Sequence, residues 1–139
     1  MKYLISILIG LISGIVTLFL MMYFALLLFP LPKFIDIQNK ESLAQNMDQI
    51  PQINFIIILL GFALGSLVAG FVSVKVKTLN SRIPVIIIGL LFTFAVFVNS
   101  IYVPQPIWMV IGSSMIFIPM VYLGGRLGIG SKKRISNFY

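Results

Sequence analysis

Between Lys2 and Lys33 there is no charged residue, and Tyr3 to Phe29 is almost continuously apolar. As a helix those residues would run about 40 Å, more than the roughly 30 Å hydrocarbon core of a bilayer requires, so the span must tilt or protrude. Met1-Lys2 could open a signal peptide, but the apolar stretch is about twice a normal h-region and lacks an A-x-A-like site. An uncleaved first span is therefore expected.

Three further runs follow. Ile53 to Val74 comes after Pro51 and stops at Lys75. Ile83 to Ser100 has Ser81 as a candidate N-cap and Pro84 in its first turn, where a missing N–H is tolerated. Ile107 to Gly124 is entered after Pro104 and Pro106. The expected fold is an all-α integral membrane protein, a bundle of four transmembrane helices over about 3–29, 53–74, 83–100 and 107–124, with backbone groups satisfied inside each segment. Residues 30–52 form an outer loop and 125–139 a basic tail, so 1–139 is one membrane domain.

Composition agrees with lipid as the main solvent. Only 9% of residues are charged and mean hydropathy is +1.11, against about 25% charged in ordinary soluble chains. The chain contains no Cys and no His. It therefore offers no disulfide, no thiolate metal site and no imidazole for metal binding or proton transfer near neutral pH.

The net charge of +7 would suit a nucleic-acid partner only if the basic residues were gathered on a water-exposed face, and they instead flank the apolar runs. With a cytoplasmic N-terminus, the inner side holds Lys2, Lys75, Lys77, Arg82, Arg126, Lys132, Lys133 and Arg134, and the outer side only Lys33 and Lys40. The positive-inside rule then favours both termini cytoplasmic, N-in and C-in, in a cell membrane such as the bacterial inner membrane. The inner cations Lys75, Lys77, Arg82, Arg126, Lys132, Lys133 and Arg134 are candidate contacts for anionic lipid. No nucleic-acid partner is expected.

In the outer loop Asn39 can cap a helix whose first turn holds Glu41, and Leu43, Met47 and Ile50 recur at helical spacing. An amphipathic helix of about three turns is expected, lying on the bilayer, capping the bundle or docking a partner.

Small residues make the clearest internal pattern. Gly61, Gly65, Ala69 and Ser73 are four apart in span two, and Ser6, Gly10 and Gly14 form a matching ladder in span one. This spacing admits close helix approach. Packing of the two ladders on each other is the simpler expectation, and a homodimer seam is its alternative.

The spans carry no charge at their centres, and their polar groups are Ser13, Thr17, Ser66, Ser73, Thr93, Ser113, Ser114 and, near the outer end, Asn99. Hydroxyls can bond to the carbonyl one turn back and need no functional role. Pro119 removes one backbone bond in span four and crowds the Met115 carbonyl, so a kink is expected, with a gate or hinge as its functional reading. Tyr102 and Trp108 fit an interfacial aromatic belt.

Gly124 to Lys132 superficially resembles a phosphate-binding loop, but Ser131 precedes Lys132 and a membrane helix comes before it, so nucleotide binding is rejected. The glycines of this segment are expected to end the fourth helix.

The chain resembles a family of small bacterial four-span membrane proteins of uncharacterised activity. The resemblance rests on Phe29-Pro30-Leu31-Pro32, the helix start from Asn39 to Leu43, Pro51, the small residues from Ala63 to Gly70, Pro104 to Trp108, and Pro119 with Tyr122 to Leu127. It implies a four-span fold and no assigned activity. An acidic residue and a His near the outer end of span one, which the resemblance would place at Met22 and Leu26, are absent here.

An enzyme is not expected, because Asp36, Glu41 and Asp48 all fall in the outer loop and supply no nucleophile–base pair. No catalytic residue, metal or cofactor is assigned. The expected role is a structural or interacting subunit of a membrane complex, with the bilayer and a second copy or another membrane protein as partners. The alternative is a small oligomeric transporter or channel with no embedded ionisable residue. It would differ from four-span multidrug exporters, which need a carboxylate in span one, and from dual-orientation fluoride channels, which the charge bias opposes.

Overall fold

The computed structural model describes residues 1–36, 38–76 and 82–136, with 131–136 as backbone only. The described chain is all-α. It comprises α1 (Lys2–Leu28), α2 (Lys40–Gln45), a 3-10 turn (Met47–Gln49), α3 (Gln52–Val76), α4 (Ile83–Tyr102) and α5 (Ile107–Ser136). Four of these, α1, α3, α4 and α5, are long and apolar enough to cross a membrane. The chain is a multi-pass integral membrane protein with a short helix between its first two spans. The connection over 30–51 and the α4–α5 turn lie at one end of the bundle, the loop end; the other is the basic end.

α3 is the central helix, packed against α1 on one side and α5 on the other, and α4 closes the bundle against α5. Small residues decide that order. The ladders of α1 and α3 meet in antiparallel register: a Cβ added to Gly10 would stand 2.9 Å from the Ala69 carbonyl oxygen, and one added to Gly14 would stand 3.0 Å from that of Gly65. Ser6 closes the series by donating its hydroxyl hydrogen to the Ser73 carbonyl. Ser6, Gly10, Gly14, Gly61, Gly65, Ala69 and Ser73 are all buried.

The opposite side of α3 meets α5 just as closely. A Cβ on Gly70 would overlap the Val121 carbonyl, one on Gly124 the Leu67 carbonyl, and one on Gly128 would lie 2.9 Å from the Phe71 oxygen. These contacts correct the expectation that the glycines after residue 123 end the fourth helix. α5 runs on to Ser136, because Gly124 and Gly128 sit where the backbone of α3 leaves no room for a side chain. The segment after 124 is a continuation of the helix as far as Ser136.

Large side chains fill the space among α3, α4 and α5. The Phe117 ring stacks on Phe92 at 5.5 Å and lies 5.4 Å from Phe62, and Ile88, Val121 and Ala69 complete the buried core. Apart from that of Ser6, these hydroxyls serve their own helices, Ser13 bonding to Gly10, Thr17 to Ser13, Ser66 to Phe62, Thr93 to Gly89, and Ser113 and Ser114 both to Val110. Pro119 is inside α5, which continues through it. Arg82 is the N-cap residue of α4 and caps nothing with its side chain, while Ser81 lies outside the described residues.

The loop helix is shorter than its hydrophobic spacing suggests. Asn39 caps α2 as expected, its Oδ1 accepting from the Glu41 and Ser42 amides at 3.0 and 3.4 Å. Asn46 is its C-cap: its N–H makes the last helical bond, to the Ser42 carbonyl at 3.2 Å, and its Nδ2 donates to the same carbonyl at 2.8 Å. An amide side chain bonding its local backbone offers the chain an exit from the helix. The remaining turn is 3-10.

Candidate functional site: a cavity at the loop end

Toward the basic end the small ladder brings α1 into contact with α4 as well as α3, Gly10 meeting the Ile88 side chain and Gly14 that of Phe92. Toward the loop end α1 changes character. It carries Leu18, Met21, Met22 and Leu26, of which Leu18 lies over Gly65 and Met21 over Gly61 of α3. Beside them is a cavity of about 430 Å³, within the size range of small-molecule sites.

Each wall comes from a different element. α1 supplies Ile15, Leu18, Met22 and Leu26; α3 supplies Asn54, Phe55, Ile58 and Phe62; Met109 of α5 and Asn99 and Val103 near the end of α4 complete the sides. Leu31, Leu43 and Ile50 of the connection form a roof. The roof is held down by Lys40, whose Nζ donates to the Ile101 carbonyl at 2.7 Å. Carbonyls in the last turn of a helix have no intrahelical partner and carry partial negative charge, so a lysine suits this place.

The walls are apolar except near the roof. There Asn54 is only 4% exposed, and neither its Oδ1 nor its Nδ2 has a hydrogen-bond partner; the Oε1 of Gln105, in the α4–α5 turn, is also buried and unpaired. A buried amide without partners costs about 1–3 kcal/mol for each group left unsatisfied. A cavity lined this way can hold an apolar body. Asn54 is a residue that sequence reasoning missed. Its signal was an amide two residues inside the α3 start, in a run otherwise apolar for the next ten residues.

Met22 and Leu26, the positions singled out by the family resemblance, both line this cavity and are both apolar. The seven small residues of the α1 and α3 ladders lie together between those two helices, and not in this cavity. Phe55 stacks edge-on against Trp108 at 6.3 Å, fixing the α3–α5 wall.

At the basic end, Arg82 and Arg126 come together around a second, smaller pocket of about 190 Å³, formed with Val85, Tyr122 and Ile129. The Arg82 guanidinium lies over the Tyr122 ring, 5.6 Å from its centroid, and Lys75 lies over Phe71 at 5.4 Å. Lys77 lies outside the described residues. Lys132, Lys133 and Arg134 belong to helical backbone, with side chains outside the described set. Asp36, Glu41 and Asp48 stay on the connection, and among the described residues no group of His, Cys, Asp and Glu could hold a metal ion.

Compared with protein-family models, with curated proteins and with solved structures, the chain matches none.

Proposed function

We propose that this chain is a non-catalytic, interacting component of a bacterial cell membrane, a four-span subunit that works by holding another membrane molecule in its loop-end cavity. The observation that carries this reading is the largely apolar loop-end cavity, beside which the amide of Asn54 is buried without a partner. The charge bias supports an orientation with the cavity in the outer leaflet and the basic end at the cytoplasm, where Arg82 and Arg126 would meet anionic headgroups.

The test is photocrosslinking in the native membrane, with a photoreactive phenylalanine analogue at Phe55, inside the cavity, and at Phe94, on the exposed face of α4. A discrete adduct from position 55 and only diffuse lipid labelling from position 94 is the expected outcome. The same diffuse labelling from both positions would remove the binding role. Solute or ion flux in proteoliposomes that is lost when Gly65 is replaced by Leu would establish the transporter alternative instead.

A further inference from the structure

The two arginines of the basic-end pocket lie at one depth. α4 (Ile83–Tyr102) has 20 residues, about 30 Å of helix, which is roughly the thickness of a bilayer's hydrocarbon core. Arg82 directly precedes it, and Ile107 to Arg126 of α5 is a run of the same length. Both side chains therefore start at the boundary where lipid chains give way to phosphates. α5 continues past this level to Ser136. The pocket of about 190 Å³ is the step between the start of α4 and the continuing face of α5, with Ile129 and Gly130 on its α5 wall.

The charge of this pocket is not compensated from within the chain's own side chains. Its three carboxylate side chains, Asp36, Glu41 and Asp48, all belong to the connection at the loop end, on the far side of the bundle. The Arg82 guanidinium lies over the Tyr122 ring, 5.6 Å from its centroid, and Arg126 follows Tyr122 by one turn on the same side of α5. A guanidinium held over a ring keeps its N–H edge open. With a second guanidinium beside it, the pocket suits a phosphate, whose oxygens accept paired N–H donors.

The surface below decides what carries that phosphate. One turn deeper than Arg82 on α4 is Ile86, and one turn deeper than Tyr122 on α5 is Ile118; they are 54% and 50% exposed. A free phosphate ion gains nothing from them. A diacyl lipid lays its chains along this apolar seam while its phosphate reaches the arginines, and a headgroup with no cation of its own compensates their charge best.

We propose that the step between the start of α4 and α5 is a binding site for the phosphate of one anionic phospholipid, of the phosphatidylglycerol class. The site rests on the reading that the basic end meets anionic headgroups, and is independent of what the loop-end cavity holds. Arg82 and Arg126 donate to the phosphate oxygens, and the acyl chains lie over Ile86 and Ile118.

The probe is dioleoyl phosphatidylglycerol added to the full-length protein in neutral detergent micelles, with bound lipid counted by native mass spectrometry. A saturable lipid is expected, with dioleoyl phosphatidylcholine binding about tenfold more weakly. Arg82→Gln and Arg126→Gln should each weaken it about fivefold. Lys2→Gln combined with Lys75→Gln removes two cations of the same end that do not line the pocket, and should weaken it by about twofold at most. Gly130→Leu fills the pocket and keeps every charge. A Cβ at Gly130 meets nothing within 4 Å, so the bundle accommodates the change, and the saturable lipid should be lost. Unchanged binding in Gly130→Leu would overturn the pocket. Equal losses from the lysine pair and the arginine pair would overturn the site and leave the diffuse attraction of headgroups to the basic end; no loss from either pair would overturn both. Displacement of the lipid by millimolar inorganic phosphate would identify a soluble anion as the ligand and overturn the lipid.

Discussion

At Gly70 a single methyl group has no room, because the Val121 carbonyl of α5 occupies its place. Backbone cannot step aside as the end of a long side chain can. Gly70→Ala is therefore expected to destabilise the protein by about 2 kcal/mol, in the range of core overpacking. Gly130 is the control, because a methyl group there would meet nothing within 4 Å: Gly130→Ala should gain up to about 1 kcal/mol from helix propensity. Unfolding midpoints in mixed micelles with SDS would read both; equal midpoints for the two variants would contradict the close α3–α5 contact. The ladder of Gly61, Gly65, Ala69 and Ser73 was legible as sequence because its spacing is fixed by helix geometry. Asn54 was not, because an amide near a span end reads as interfacial until tertiary packing shows that nothing meets it.

Among the elements, the spans were the most legible, since long uncharged runs have few alternatives in lipid. Their ends were less so. The glycines of α5 have the same composition whether they stop a helix or admit a neighbour, and only the carbonyls of Leu67 and Phe71 opposite them decide it. The connection's α2 was legible from Asn39 at its start and not at its end, where Asn46 turns back on Ser42. The Lys40 tie to Ile101 links elements 61 residues apart in sequence, and no local pattern announces it. Replacing Lys40 with Met should loosen the roof by about 1 kcal/mol, discounted because the lysine is exposed. A cysteine at Leu43 should then react with a maleimide about fivefold faster. An unchanged rate would mean that the roof is held by its apolar contacts alone.

For the molecule as a whole, the distribution of charge predicts how it sits. Single cysteines at Ser42 and Ser131 can be read against a background with no native Cys. A membrane-impermeant maleimide should label position 42 in intact cells and position 131 only after permeabilisation; the reverse pattern would invert the orientation and move the cavity to the cytoplasmic leaflet. The bundle itself is organised around α3, which places both of its small-residue sides against neighbours within the chain. The α1–α3 pair can close as soon as the second span is made, whereas Gly70 waits for α5, which is synthesised two spans later. Until then the growing chain presents a bare groove to the lipid, and its correct closure depends on α5 arriving before another molecule does.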